Sequence, residues 1–302
     1  MRTESVLVVY PFLQHYRRGV FMELDKSNAP QFTFAADTHG RAGINSMDPS
    51  DLRRFRRLRT RRFLRVELQT GLIPLIRGRF DAVVFYGDVS SLSTWLGAGY
   101  ARLRGSRVYF WTIGWHRPEA GVKRTVRLAF YHLAHHLLVY GEIGRQIGIR
   151  MGYPGQRISV IGNSIGLDPP SLSHLDRPPA PDGNGRILVG AVARLTEVKR
   201  FDLLIDACQI LRKQGFDAQI KLAGAGPCRQ SLERQASAAE VPMTFVGPIY
   251  SDAALAEFYQ DLDATVVPQA IGLTAVQSLG FGIPAISDDN KYAQMPEWES
   301  II

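Results

Sequence analysis

Apolar runs of strand length recur along the first half of this chain, at residues 6–10, 32–36, 82–86, 108–111, 137–140 and 158–161. Between them, apolar positions return every three or four residues, which predicts helices over about 16–25, 50–69, 91–103, 121–134 and 142–151. A polar stretch at 168–185, DPPSLSHLDRPPAPDGNG, breaks the pattern with five prolines and reads as a linker. Alternation then resumes, with strands predicted at 187–193, 219–223, 244–246, 264–267 and 285–287. Helices are predicted at about 201–214, 227–239, 251–260 and 273–281. Strand alternating with helix means parallel sheets covered on both faces. The expected fold class is therefore α/β, with two doubly wound, Rossmann-like domains at 1–167 and 186–302. Ligands of such sheets bind at the carboxyl ends of the strands.

Length agrees with two domains, since 302 residues exceed one ordinary core. Apolar content of 45% and charged content of 21% are those of a soluble globular chain. No apolar run reaches spanning length, and the opening MRTESVLVVYPF lacks the features of a signal peptide. Cys208 and Cys228 have no metal spacing and fit a reducing compartment. These features predict a cytoplasmic location.

Charge changes the picture in one place. The net charge is +8, and eight arginines fall between Arg53 and Arg65 in DLRRFRRLRTRRFLRVE, interleaved with Leu52, Phe55, Leu58, Phe63 and Leu64. Two readings stay open: a solvated basic helix face, or a basic amphipathic helix lying on an anionic membrane surface. No recognised nucleic-acid motif accompanies the charge, so nucleic acid is not an expected partner.

The candidate chemistry concentrates in the second half. VVPQAIGLTAVQSLGFGIPAIS, residues 266–287, reads as a strand, a loop with Gly272, a helix from about Leu273 and a further strand. A glycine loop feeding a helix N-terminus at a strand's carboxyl end suits phosphate, through free N–H groups and the helix dipole. In GAVARLTEVKRFD, Arg194 ends a strand and Lys199 precedes a helix; a planar fork and a compact charge both suit phosphate. LAGAGPCRQSL turns from strand to helix through Gly224-Ala225-Gly226-Pro227, which reads as a plain turn.

In this order and at these spacings the three segments resemble the C-terminal half of glycosyltransferase family 4, over about residues 186–299. VVYPFLQHYRRGVF, FWTIGW and VIGNSI give a weaker match in the first half. The resemblance implies the GT-B fold, two Rossmann-like domains facing a cleft. It also implies retaining transfer of a hexosyl group from a nucleotide-diphosphate sugar to a glycan or lipid-linked acceptor. The setting would be surface polysaccharide biosynthesis, at the inner face of the membrane, with no cofactor and no metal. Carried over, Arg194, Lys199 and the amides around Gly272, Leu273 and Thr274 would hold the donor diphosphate. Gln269 and Gln277 stand where the family commonly has two glutamates, and Ile113 stands where it often has a histidine. Glutamine still hydrogen-bonds a hydroxyl but supplies no negative charge. The family typically runs on for several tens of residues beyond this terminus, which implies a C-terminally truncated second domain.

Elsewhere, His116 in Trp115-His116-Arg117-Pro118 is the candidate catalytic group, and His15, Tyr16 and Arg17 after the first strand are candidates on the acceptor side. His132, His135 and His136 read as structural, and Asp88 as the cap of the next helix. The glutamine substitutions and Ile113 also leave open a nucleotide-sugar-binding protein with impaired catalysis. A GT-B-fold nucleotide-sugar epimerase is the other alternative; its acid–base chemistry would need carboxylates or histidines.

Overall fold

The computed structural model describes residues 3–41, 43–64, 66–166 and 186–302; the segment read as a linker, 168–185, and Arg65 lie outside them. The chain divides into two compact units, Met1–Gly166 and Leu167–Ile302.

The first unit is built on a seven-stranded sheet. In chain order its strands are β1 (Ser5–Phe12), β2 (Gln31–Asp37), β3 (Phe55–Arg57), β6 (Ala82–Tyr86), β7 (Arg107–Thr112), β8 (His136–Val139) and β9 (Ile158–Val160). Their spatial order is β3-β2-β1-β6-β7-β8-β9, and every pairing is parallel. The helices are α1 (Arg18–Lys26), the short α2 (Leu72–Ile76), α3 (Leu92–Leu103), α4 (Gly121–His132) and α5 (Glu142–Arg150). Period-two geometry sends alternate residues of β1 to opposite faces. Leu7 and Val9 join Val83, Phe85, Phe110 and Phe130 on one side, while Val6, Val8 and Tyr10 join Phe21, Phe34 and Trp111 on the other. That explains a strand apolar throughout: both of its faces are covered.

The second unit repeats the principle with β10 (Arg186–Val192), β11 (Asp217–Ala223), β12 (Met243–Gly247), β13 (Ala264–Val266) and β14 (Ala285–Ile286). The order is β12-β11-β10-β13-β14, again all parallel. Its helices are α6 (Phe201–Lys213), α7 (Arg229–Ala238), α8 (Asp252–Gln260) and α9 (Leu273–Gly280), and a 3₁₀ segment covers Pro296–Ile301. Val189 and Ala191 face the cluster with Phe201, Ile205 and Ile220, whereas Leu188 faces Phe258, Tyr259 and Phe281.

The helix predicted over 50–69 is not there. Phe55–Arg57 is an edge strand whose Phe55 pairs with Phe34, and Arg59–Phe63 (β4) pairs antiparallel with Val66–Thr70 (β5) as a separate hairpin. Leu52 and Leu58 explain why. They enter the two different clusters on opposite faces of the sheet, which one apolar stripe of a helix does not reach. Asp88 also differs from expectation. It does not cap α3: Ser91 does, its hydroxyl accepting from the Thr94 amide at 3.2 Å. The Asp88 carboxylate instead accepts from the Ser90 amide and hydroxyl, both at 2.8 Å. No helix of the described residues is long and apolar enough to cross a membrane.

Candidate functional site

In each sheet the strand order reverses once, between β1 and β6 in the first unit and between β10 and β13 in the second. Chains leaving the carboxyl ends of two such strands diverge to opposite faces and leave a crevice, where doubly wound sheets bind ligands. In the second unit, the loop after β10 carries Arg194 and Lys199, and the loop after β13 carries Gln269 to Gly272. The residues read from sequence thus share one crevice.

Hydrogen bonds tie these two loops together. Lys199 Nζ donates to the carbonyl of Ala270. The Gln269 amide donates to Lys199 O at 3.3 Å, and Thr274 Oγ1 donates to Val192 O at 2.9 Å. Arg194 is exposed and projects from the same turn, with Leu195 buried behind it. The turn through Gly224 and Gly226 proves to be more than a connection. Leu195 N donates to Ala225 O and Cys228 N to Leu195 O, both at 3.0 Å. A Cβ on Gly224 would lie 2.0 Å from Ala193 O, and one on Gly226 2.2 Å from Leu195 O. Glycine is required because the Arg194 loop lies directly against this backbone.

Gly272 sits at φ 56°, ψ −151°, a region essentially reserved for glycine, and it starts α9. Ala270 is also left-handed, at φ 52°. Neighbours fix this bent loop: Ala270 N donates to Ala293 O at 3.0 Å and Ile271 N to Gln294 Oε1 at 3.1 Å. Gln294 Nε2 in turn reaches Pro268 O at 3.2 Å and Asp288 Oδ1 at 2.8 Å, and Trp298 Nε1 donates to Asp288 O at 3.0 Å. The amides of Gly272, Leu273 and Thr274 make no hydrogen bond with any described residue, as the first turn of a helix leaves them. Burial and then the positive charge of Arg194 push Lys199 down to about 8, while Glu297 works in the opposite sense. Glu297, buried in the Pro296–Ile301 segment, is the residue that sequence reading missed.

Gln269 lies in the loop facing this group, and Gln277 lies about one turn into α9. The Gln277 oxygen is committed to the hydroxyl of buried Tyr259, at 2.9 Å. Among the described residues, no group of three or more His, Cys, Asp and Glu side chains is arranged to hold a metal ion.

The other candidates lie in the first unit. His15, Tyr16 and Arg17 form a 3₁₀ turn directly after β1. His15 Nδ1 donates to Asn45 O at 3.2 Å, beside an open concavity of about 500 Å³ lined by Thr38, Gly40, Arg41, Ile44, Asn45 and Ser46. Arg17 is only 5% exposed. Its guanidinium lies 4.8 Å from the Tyr140 ring and 5.6 Å from the Trp111 ring, and no described carboxylate pairs with it. Burial and the neighbouring Tyr140 raise the Tyr10 hydroxyl well above its ordinary pKa. Arg17 therefore acts as a core cation held by aromatic faces. His116 is exposed, one residue beyond buried Trp115, which packs against Tyr131 at 4.7 Å. His135 and His136 are bound into the structure, His135 accepting from the Val108 amide and His136 lying 2.8 Å from Ser159 Oγ.

Two doubly wound units with parallel sheets are the GT-B fold, and solved structures share it. Anabaena HepE in complex with UDP matches with a TM-score of 0.69 at 13% identity, over 100% of this chain and 83% of that one. The apo lipopolysaccharide outer core galactosyltransferase WaaB matches with a TM-score of 0.67 at 14% identity, over 95% of this chain and 81% of that one. Residues 175–295 match the family model of glycosyl transferases group 1. A Mycobacterium tuberculosis GDP-mannose-dependent alpha-(1-6)-phosphatidylinositol dimannoside mannosyltransferase is 36% identical over 104 residues. That match spans 33% of this chain and 27% of the relative's length.

Proposed function

We propose that the protein is a retaining glycosyltransferase. It would move a hexosyl group from a nucleotide-diphosphate sugar to a glycan or lipid-linked acceptor in surface polysaccharide biosynthesis, as a peripheral protein at the cytoplasmic face of the membrane. The observation that carries this reading is the second-unit crevice. There Arg194, Lys199 and the unsatisfied amides of Gly272, Leu273 and Thr274 converge, inside the stretch that matches glycosyl transferases group 1. In the proposed reaction the bond from the anomeric carbon to the diphosphate oxygen breaks, and an acceptor hydroxyl oxygen bonds to that carbon. The acceptor proton leaves with the diphosphate, whose growing charge the two cations and the amides stabilise without reorganising. We assign no metal to this step, because two cations and a helix N-terminus already face the charge that develops. Gln269 would hydrogen-bond the donor's hydroxyls, and His116, His15 and Tyr16 would serve the acceptor side.

Relatives support a nucleotide donor and an acceptor with a lipid or sugar end. HepE was solved with UDP, and the mycobacterial relative is named for GDP-mannose and a phosphatidylinositol mannoside. Calorimetry with UDP, GDP and their sugars, followed by a donor-hydrolysis assay, tests the proposal. Arg194→Ala is expected to weaken nucleotide-diphosphate binding by about tenfold or more, the loss of one charge-assisted hydrogen-bonding group. Full donor affinity in that variant would sink the phosphate assignment. Binding without hydrolysis or transfer would favour a nucleotide-sugar-binding protein instead.

A further inference from the structure

The β4–β5 hairpin is unlike the rest of the molecule. It forms its own two-stranded sheet, outside the seven-stranded one. In antiparallel pairing, residues directly opposite share a face. Thr60 opposite Gln69 and Arg62 opposite Glu67 form the inner row: Gln69 Nε2 donates to Tyr10 O at 2.8 Å, and Glu67 pairs with Arg41 at 2.7 Å. The outer row is Arg59 opposite Thr70, Arg61 opposite Leu68, and Phe63 opposite Val66, all of them exposed. Phe63 is 79% exposed and Leu64, at the turn, 83%. Among the described residues, this face grades from arginine at its base to exposed apolar side chains near the turn. Arg54 and Arg57, on and beside the adjoining edge strand, are exposed too, and neither they nor Arg59 and Arg61 pair with a described carboxylate.

We infer that this hairpin is a membrane wedge for an anionic bilayer, with Phe63, Leu64, Val66 and Leu68 entering the acyl boundary and the arginines meeting lipid phosphates. Two features select a bilayer over other polyanions. Among the described residues, Arg59 and Arg61 lie on the outer row away from the turn, and Phe63, Leu64 and Val66 gather at the turn. A nucleic acid offers phosphate without an apolar layer for Phe63 and Leu64 to enter. An exposed aromatic and leucine at a turn otherwise leave apolar area in water without return. The geometry works as an interfacial amphipathic element, with a hairpin in the role usually filled by a helix. The wedge lies in the first unit and is argued without reference to the donor crevice, although it gives the proposed transferase its route to lipid-linked acceptors.

The full chain should float with vesicles of phosphatidylcholine and phosphatidylglycerol at low salt, and far less with phosphatidylcholine alone. Phe63→Ser with Leu64→Ser is expected to weaken vesicle binding about tenfold or more, at low salt and at about 0.5 M salt alike. Arg59→Ser with Arg61→Ser is expected to weaken it by about tenfold at low salt and to flatten the salt dependence. A Phe63→Trp variant should shift its emission to the blue on adding anionic vesicles and not on adding duplex DNA. All these side chains are exposed, so circular dichroism should stay unchanged. Wild-type recovery independent of lipid and salt overturns the inference, and so does vesicle binding indifferent to Phe63 and Leu64. Retention on duplex DNA equal to that on vesicles would also overturn it. UDP and GDP affinities measured on the same variants keep the two proposals apart: loss of nucleotide binding in the parent protein would sink the donor reading and leave the wedge standing.

Discussion

Lys199 is the residue whose chemistry responds most directly to conditions. Its ammonium is desolvated, faces Arg194 and titrates near pH 8 in the free protein. A bound diphosphate is fully ionised there and would keep the ammonium charged. Binding above that pH therefore takes up a proton, and affinity falls as pH rises. From pH 7 to pH 9 the loss should be about tenfold for a pKa near 8. Calorimetric titration across that range checks it, and Lys199→Arg, which stays charged, should remove the slope. Stability moves the other way. The unfolded chain holds this proton up to about 10.5, so between about 8 and 10.5 it binds more protons than the folded state, and Lys199 makes folding more favourable as pH rises. The cations at 194 and 199 were legible in the sequence because their types and spacing fit phosphate. Glu297 was not, since its influence on Lys199 comes from a terminal segment folding back on the crevice, which no local pattern announces.

At the scale of elements, the turn through Gly224 and Gly226 positions Arg194, and it can be tested by adding one methyl group. Gly224→Ala drives a Cβ into the Ala193 carbonyl, backbone against backbone, at φ 135°. We expect a loss of about 3 kcal/mol or more, with donor affinity falling as the Arg194 loop shifts. Gly215→Ala is the control. Its φ of 94° is also positive but nothing lies within 4 Å of the added Cβ, so it should cost only about 1 kcal/mol and leave donor binding intact. Thermal unfolding with nucleotide titration separates the two. Elements with covered faces were the easiest to read: β1, β6, β7 and β10 stand as apolar runs between helical patterns. The arginine-rich stretch misled because Leu52, Phe55 and Leu58 recur every three residues, as on a helix. In the fold Phe55 pairs across to Phe34 while Leu52 and Leu58 serve opposite faces. Long-range pairing decides that stretch, and local spacing does not contain it.

At the scale of the molecule, each unit carries its own pair of apolar clusters around its own sheet. Damage to one core should therefore leave the other unit's ligand chemistry in place. Phe110, fully buried and stacked 4.6 Å from Phe130, is the place to test this. Phe110→Ala should destabilise the first unit by about 3–5 kcal/mol and change nucleotide affinity by less than about twofold. Differential scanning calorimetry with and without nucleotide should show the ligand raising the transition of the second unit. The gain expected is about 2.7 kcal/mol at a hundredfold excess over Kd. The indole that donates to Asp288 O makes the same event visible by optical means. Three of the four tryptophans, Trp95, Trp111 and Trp115, lie in the first unit, which leaves Trp298 as the sole fluorophore of its kind in the second. Through Asp288 and Gln294 it is joined to the loop that starts α9. In a protein whose other three tryptophans are replaced by phenylalanine, its emission becomes an intrinsic, label-free signal of donor arrival.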